Sequence, residues 1–169
     1  MSTISLRSLV AEATDRLRAV ADAPEAESRW LVERATGLDA TELRFALDRP
    51  VTEREIAHFD RMLARRVEGE PLQYILGSWA FRRLDLYLDR RVLIPRPETE
   101  IVTEVALAEL DRAVAVRAAR GDAEPSRAVD LGTGSGAILV ALLLSWKMIA
   151  KTSPTCSNRP GIHRKHLNC

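Results

Sequence analysis

Long apolar runs and an excess of charge of one sign are both missing from this sequence of 169 residues. The longest apolar run, residues 137–144, is far shorter than the roughly 20 residues that a membrane-spanning helix needs. Glu12 and Asp15 interrupt the N-terminus with charge, which excludes a signal peptide. The net charge of +1 gives no reason to expect general nucleic-acid binding. We expect a cytoplasmic, monomeric protein with no membrane anchor and no direct nucleic-acid partner.

Lysine, asparagine and cysteine are absent from residues 1–146 and return together in residues 147–169. This last segment has no acidic residue and a charge of +5, against −4 for residues 1–146. A body without lysine and asparagine suggests a coding sequence poor in A and T, so the abrupt change indicates another reading frame, an unspliced junction or a foreign extension. A natural basic tail is the alternative. We predict that residues 147–169 form an aberrant, disordered tail.

The same last segment contains the residues that could suggest a metal site. Cys156 and Cys169 lie there together with His163 and His166. Their spacing matches no standard zinc pattern. We therefore predict that the protein has no metal site.

Residues 1–75 have the periodicity of amphipathic helices. In residues 4–20 the apolar side chains recur at helical spacing, so that they form one stripe. They are Leu6, Leu9, Val10, Ala13, Leu17 and Val20. Pro24 and Gly37 bound a second predicted helix, because proline suits the first turn of a helix and glycine suits the residue after its end.

Two patterns of the capping-box type predict two more helix starts. Asp39 is followed by Glu42 before a short helix, and Thr52 is followed by Glu55 before a longer one. The apolar face of the longer helix holds Ile56, Phe59, Leu63 and Val67. Residues 1–75 are therefore predicted to form a small all-helical domain, in which nothing looks catalytic.

After this domain the pattern changes to the alternation that is typical of strands. Residues 84–88 alternate leucine with Asp85 and Tyr87, and a second apolar stretch, residues 92–94, follows a polar turn. The pattern predicts a β-hairpin made of these two stretches. Residues 76–95 are assigned to a β-hairpin linker.

Residues 96–146 show the opening pattern of an α/β domain. Pro97 begins a predicted helix that ends at about Ala119, and the short apolar stretch 128–131 predicts a strand. Three glycines and a helical apolar run from Ala137 follow. Helix, strand, glycine turn and helix in this order are typical of a doubly wound sheet. The predicted fold class is α/β, with only the start of the sheet domain in this sequence.

The glycine turn has the chemistry of a ligand-binding loop. Gly132, Gly134 and Gly136 permit conformations that are closed to other residues, and they let a ligand approach the main chain. The free N–H groups at the start of the following helix form an anion site. Asp130 ends the predicted strand beside this loop, where its carboxylate is suited to a cation.

One interpretation of the loop is excluded, and three others are open. A Walker-type phosphate loop is excluded, because Ala137 and Ile138 stand where that motif needs lysine and serine or threonine. A dinucleotide fingerprint is met in form, although no acidic residue follows Asp130 to bind a ribose. An S-adenosylmethionine loop needs the same acid, but it is favoured by Asp130 and by the third glycine. A turn with a purely structural role is the third interpretation.

Four segments occur in this order in the sequence: residues 69–77, Phe81, residues 92–100 and residues 130–138. Together they resemble the HemK-type protein-glutamine methyltransferases. The string Ile-Pro-Arg-Pro-Glu-Thr-Glu at residues 94–100 makes the resemblance specific. The likeness implies a helical N-terminal domain that helps to engage a peptide chain release factor, a hairpin linker, and a Rossmann-like class I methyltransferase domain. It also implies that S-adenosylmethionine provides a methyl group for the glutamine side-chain amide of a Gly-Gly-Gln motif.

The resemblance implies the positions of the site residues as well. The cofactor loop would consist of Gly132, Thr133, Gly134, Ser135 and Gly136, with Asp130 beside it. The same pocket would be lined by Arg96, Pro97, Glu98 and Thr99. A rigid helix start with two acidic residues is the alternative explanation of this second segment.

The sequence departs from the family pattern in three respects. The Asn-Pro-Pro-Tyr motif that carries catalysis in the family does not occur, and neither does the ribose-binding acid. Arg83 stands where the relatives usually have glycine, and this substitution is expected either to strain the hairpin turn or simply to expose an arginine. We therefore expect a sequence that is truncated after the first cofactor motif and that neither binds the cofactor tightly nor methylates. The alternative is a non-catalytic fragment that binds a release factor through its helical domain.

Overall fold

A computed structural model describes residues 4–122 and 127–152, with side chains described as far as Ser145. The helices are α1 Leu6–Leu17, α2 Pro24–Thr36, α3 Ala40–Phe45, α4 Glu53–Val67, α5 Leu72–Leu76, α6 Pro97–Ala119 and α7 Ala137–Thr152. The strands β1 Ser78–Phe81 and β2 Leu84–Tyr87 form an antiparallel pair. The chain divides into two compact units. The first unit is the chain up to Ala80 together with Asp85–Ile94, and the second is Phe81–Leu84 together with the chain from Pro95 onward.

The core of the first unit lies between α1, α2 and α4, which contact one another. The apolar stripe predicted for α1 lies in this core, where Leu6, Leu9, Ala13 and Leu17 are buried. Leu31, Phe59 and Leu63 are completely buried against it. Burial of each leucine or phenylalanine side chain in this core contributes about 1.5–3 kcal/mol to the stability of the unit.

Local signals place the helix ends of the first unit where the sequence predicts them. Asp39 accepts from the N–H of Glu42 at 2.8 Å, and the Glu42 carboxylate accepts from the N–H of Asp39 at 2.9 Å. Thr52 and Glu55 form the same reciprocal pair. Gly37 ends α2 in the left-handed conformation, with a φ of 75°. These predictions are confirmed.

The hairpin prediction is wrong in its choice of strands. β2 pairs with β1, whereas residues 92–94 belong to no strand. The reason lies in the bonds of Val92: its N–H donates to the Asp89 carbonyl at 3.2 Å, and its carbonyl accepts from the Tyr74 hydroxyl at 2.8 Å. The main-chain groups that a strand would use for pairing are therefore bonded elsewhere. Residues 76–95 contribute to both units, and their assignment to a linker stays a prediction.

The second unit contains α6 and α7, which contact each other. Both helices begin where the sequence predicts. The strand predicted over residues 128–131 does not form, and Val129 and Leu131 are 81% and 88% exposed. A strand is stable only when a neighbouring strand pairs with its N–H and C=O groups, and the described residues supply none for this segment. The described fold is therefore mixed and rich in helix, with one small sheet, and its Rossmann-like part remains a prediction.

The end of α7 lies beyond the predicted start of the tail. The helix continues to Thr152, so residues 147–152 are part of it, and the aberrant, disordered tail stays a prediction. An apolar helix propagates through Lys147 and Lys151 because lysine is itself a good helix former. Residues 153–169, and with them Cys156, Cys169, His163 and His166, lie outside the described residues. Within the described part of the chain, no helix is both long and apolar enough to cross a membrane.

Candidate cofactor loop and neighbouring surfaces

The three glycines of the loop all have left-handed backbone conformations. The φ angles are 76° at Gly132, 54° at Gly134 and 77° at Gly136. A Cβ atom at any of the three would meet no other atom closer than 3.9 Å. The positive φ angles, rather than crowding, are therefore the reason that these positions need glycine.

The loop runs directly into the N-terminus of α7. The Gly136 N–H donates to the Thr133 carbonyl at 2.7 Å, and the Val140 N–H donates to the Gly136 carbonyl at 2.9 Å. Ala137, the first residue of α7, is buried, whereas Gly132 and Gly134 are exposed. The N–H groups of the first helical turn have no partner within the helix, and the positive end of the helix dipole lies there. This geometry can bind a carboxylate or another anion.

Asp130 carries an oxygen atom that the surrounding protein does not satisfy. The residue is half-buried, and its Oδ2 atom is buried without a hydrogen-bond partner among the described residues. A buried carboxylate oxygen without a partner is costly, so it favours the approach of a cation or a donor. The loop therefore has an anion site at the start of α7 and an unsatisfied acceptor at Asp130. These groups fit the carboxylate and the ammonium of an amino-acid moiety.

The second predicted segment forms the start of α6. Arg96 is the N-cap residue and makes no side-chain capping bond, and Pro97 occupies the first turn. Arg96, Pro97 and Glu98 are exposed, while Thr99 is half-buried and its carbonyl accepts from the hydroxyl of buried Thr103 at 2.8 Å. This segment and the glycine loop belong to the same unit, but no hydrogen bond joins them in the part of the chain that the structure describes.

The tip of the hairpin contains a contact that sequence reasoning missed. Arg82 has a φ of 54°, so the left-handed position of the turn is Arg82, and Arg83 is exposed, which is the second of the two alternatives for that residue. Its N–H donates to Glu100 Oε1 at 3.0 Å, and its guanidinium donates to the Glu100 carbonyl at 3.2 Å. Sequence reasoning places Glu100 in the string 94–100 and among the acidic residues of this helix start, without a partner in the hairpin. The bonds to Arg82 offset part of the cost of a left-handed arginine.

The first unit has a separate groove on the surface of its helices. The groove has a volume of about 850 Å³ and is lined by residues of α1, α2 and α3 and by Leu47. Phe45 on this groove is 86% exposed and Trp30 is 40% exposed. Trp30 also makes an edge-to-face contact with Trp79, with the ring centroids 5.8 Å apart. Burial raises the pKa of Glu33 in the groove, and nearby Asp39 adds to this effect while Arg29 opposes it.

No cluster of three or more His, Cys, Asp or Glu side chains that could hold a metal ion exists among the described residues. The residues of the last segment that were predicted not to form a zinc site lie outside those residues; they are Cys156, Cys169, His163 and His166. The expectation that the protein has no metal site therefore stays a prediction.

Comparison with known proteins relates this chain to one protein family. Residues 8–77 match the family described as the PrmC N-terminal domain. A protein of Agrobacterium fabrum named release factor glutamine methyltransferase is 38% identical over 142 residues, which are 84% of this chain and 47% of that protein.

Two further proteins of the same name show a similar coverage. The one from Geobacter sulfurreducens is 41% identical over 116 residues, which are 69% of this chain and 37% of that protein. The one from Escherichia coli is 35% identical over 131 residues, which are 78% of this chain and 43% of that protein. The chain thus spans less than half the length of the curated relatives that it matches.

Proposed function

We infer that this chain, which belongs to the release factor glutamine methyltransferase family, carries the substrate-engaging domain and the first cofactor segment of a protein-glutamine methyltransferase. The reaction proposed for the whole enzyme transfers a methyl group from S-adenosylmethionine to the side-chain amide of a glutamine. The glutamine lies in the Gly-Gly-Gln motif of a peptide chain release factor. The support is family membership together with the geometry of the glycine loop.

The observation that carries the cofactor assignment is the pairing of two complementary groups at one loop. The N–H groups of residues 132–136 and of the first turn of α7 would hold the carboxylate of the methionine moiety. The unsatisfied Oδ2 atom of Asp130 would accept from its ammonium group. When bound, the cofactor supplies an electrophilic methyl group on a sulfonium. Arg96, Pro97, Glu98 and Thr99 are proposed to line the same pocket.

We propose that the 169 residues alone bind S-adenosylmethionine weakly and do not methylate. No acidic residue follows Asp130 in this sequence, so the ribose hydroxyls have no carboxylate acceptor from that part. An amide nitrogen is also a poor nucleophile, because its lone pair is delocalised into the carbonyl. A catalyst must hold this nitrogen in line with the methyl group and accept hydrogen bonds from it, and the Asn-Pro-Pro-Tyr motif that does so in the family is absent here.

A titration with the backbone amide resonances as the readout tests the cofactor assignment. We expect millimolar S-adenosylmethionine to shift the amides of residues 130–138 and to leave those of α1 and α4 unmoved. Asp130→Asn is expected to weaken these shifts, because it removes the charge that faces the ammonium group. NADH serves as the competing ligand, since the loop also fits a dinucleotide fingerprint. Equal shifts with NADH, or none with S-adenosylmethionine, would contradict the proposal, and micromolar binding by calorimetry would contradict the weak affinity.

The second candidate function is binding of a release factor without catalysis, and the groove of the first unit favours it. Exposed aromatic side chains beside arginines are typical of the central residues of protein interfaces, and the groove combines Phe45 and Trp30 with Arg29 and Arg44. We expect purified release factor to bind the chain, and Phe45→Ser to weaken this binding. Tyr87→Ser is the matched control, because Tyr87 is 76% exposed but lies outside the groove. An equal loss of binding in both variants would show that the groove is not part of the interface. No binding by the unaltered chain would contradict the candidate function.

A further inference from the structure

Glu70, which follows α4, is a buried carboxylate that binds two arginines at once. Only 7% of its side chain is exposed. Arg65 donates to it through Nε at 2.7 Å and through Nη2 at 2.6 Å. Arg90 donates through Nε at 3.0 Å, and its Nη2 atom lies 2.8 Å from the other carboxylate oxygen. Both arginines therefore use two nitrogens, which is the strong, directional form of this interaction.

The charge of Glu70 is what holds this arrangement together. Hydrogen bonds from Arg65 and then from Arg90 lower the pKa of Glu70 from 4.5 to about 2, against the opposing effect of burial. The two guanidinium groups also affect each other, because Arg90 lowers the pKa of Arg65 while Glu70 raises it. Without the carboxylate, two like charges would stand close together. The removal of Glu70 is therefore expected to drive Arg90 away rather than only to loosen it.

Arg90 belongs to a stretch, residues 88–94, that has neither helix nor strand. Two further bonds attach this stretch to the chain around Glu70. The Leu88 N–H donates to the Gly77 carbonyl at 3.0 Å, and the Tyr74 hydroxyl donates to the Val92 carbonyl at 2.8 Å. Residues 88–94, which form no ladder of backbone hydrogen bonds, are thus held by three contacts with the chain around Glu70. Among these three, the contact between Arg90 and Glu70 is ionic.

This stretch leads directly into the segment proposed to line the cofactor pocket. It ends at Ile94, and Pro95, Arg96 and Pro97 follow. Proline fixes its own φ and restricts the residue before it, so this short connection has little freedom to absorb a displacement. A displacement of Arg90 would therefore have to reach Arg96 through this short stretch of main chain.

We propose that Glu70 is a positioning residue for the segment Arg96, Pro97, Glu98 and Thr99. It acts through Arg90 and Arg65 on the chain that precedes this segment, and it does not itself contact the cofactor. The relevance to methyl transfer rests on the proposed function. The clamp formed by Glu70, Arg65 and Arg90 does not rest on it.

Amide hydrogen exchange and amide resonances of the full chain at neutral pH test this role without cofactor or release factor. In Glu70→Gln we expect the amides of residues 88–92 to exchange about tenfold faster, while those of α1 and α4 stay within about twofold. We also expect the resonances of Glu98 and Thr99 to move. Glu70→Asp keeps the charge and is expected to restore part of the protection. Glu55→Gln is the matched control, since Glu55 binds Arg49 in the same unit at 2.8 Å but lies outside the clamp.

Arg90→Gln provides a second variant in case Glu70→Gln does not fold. Arg90 is 73% exposed, and after its loss the Glu70 carboxylate is still paired with Arg65. It should reproduce the faster exchange of residues 88–92. Unchanged exchange there in either folded variant would overturn the clamp. Faster exchange of α1 and α4 to the same extent, or unmoved Glu98 and Thr99 resonances, would overturn the positioning role. Because no ligand is present, these results are independent of the titration that tests the proposed function.

Discussion

The two units differ in how completely their helices are covered. In the first unit, α1, α2 and α4 turn their apolar stripes toward one another, and Leu6, Leu31 and Leu63 are completely buried. In the second unit, α6 runs for 23 residues and buries only Thr103 among its described side chains. The exposed apolar residues of this unit include Ile101, Val102, Val105, Leu143 and Leu144. The described apolar side chains of the second unit are thus less completely covered than those of the first.

The contrast reflects how far apart in sequence the contacts of each kind of structure lie. Helices form all their backbone hydrogen bonds within one segment, so three or four of them can close a core with local contacts. The α/β architecture needs a sheet, whose strands pair with segments far away in sequence. In an α/β fold, helices pack their apolar side chains against such a sheet. Among the described residues α6 and α7 contact each other, and several of their apolar side chains stay exposed.

The largest expected effect comes from a matched pair of leucine truncations. Leu63→Ala removes a completely buried side chain and should lower the free energy of unfolding by about 2–5 kcal/mol. Leu143→Ala removes a side chain that is 50% exposed and should change it by less than about 0.5 kcal/mol. Urea denaturation followed by circular dichroism measures both. A cost at Leu143 similar to that at Leu63 would show that the second unit has a core of its own.

The next effect is a dependence of stability on pH that comes from Glu70. Its pKa falls from 4.5 to about 2 on folding, so its contribution is complete above pH 4.5 and is lost as the pH falls toward 2. The upper limit is about 3 kcal/mol, and the exposure of Arg90 reduces it. Urea midpoints measured between these pH values should fall less steeply in Glu70→Gln than in the unaltered chain. Parallel curves for the two proteins would contradict the assignment.

The same division between local and distant contacts explains what the sequence could predict. Asp39 with Glu42, and Thr52 with Glu55, specify helix starts through neighbours only three residues away, and both are confirmed. The strand at residues 128–131 required partners that the described chain does not provide. The hairpin failed because its partner was chosen by apolar pattern, whereas the hydrogen bonds of Val92 decided the outcome.

The candidate site divides in the same way. The positive φ angles of the glycine loop and its junction with α7 follow from residue types that are adjacent in sequence. The link between Arg82 and Glu100 spans 18 residues, and the one between Glu70 and Arg90 spans 20, with no periodic signal to announce either. The only indication of Glu70 was its place in the string 69–77 that resembles the methyltransferase family. Its ionic role became visible only when the fold brought the two arginines to it.

The smallest expected effect tests whether helix capping follows the same division between the units. Thr52→Ala removes the hydroxyl that caps α4 and should cost about 1 kcal/mol, whereas Thr52→Ser keeps this oxygen and should cost less. Arg96→Ala at the equivalent position of α6 should be close to neutral, because Arg96 makes no side-chain capping bond there. Urea denaturation of the three variants measures the differences. If Arg96→Ala were the more costly change, a contact of Arg96 other than capping would hold the start of α6. The second unit would then depend on the Arg96 side chain more than the exposure of that side chain indicates.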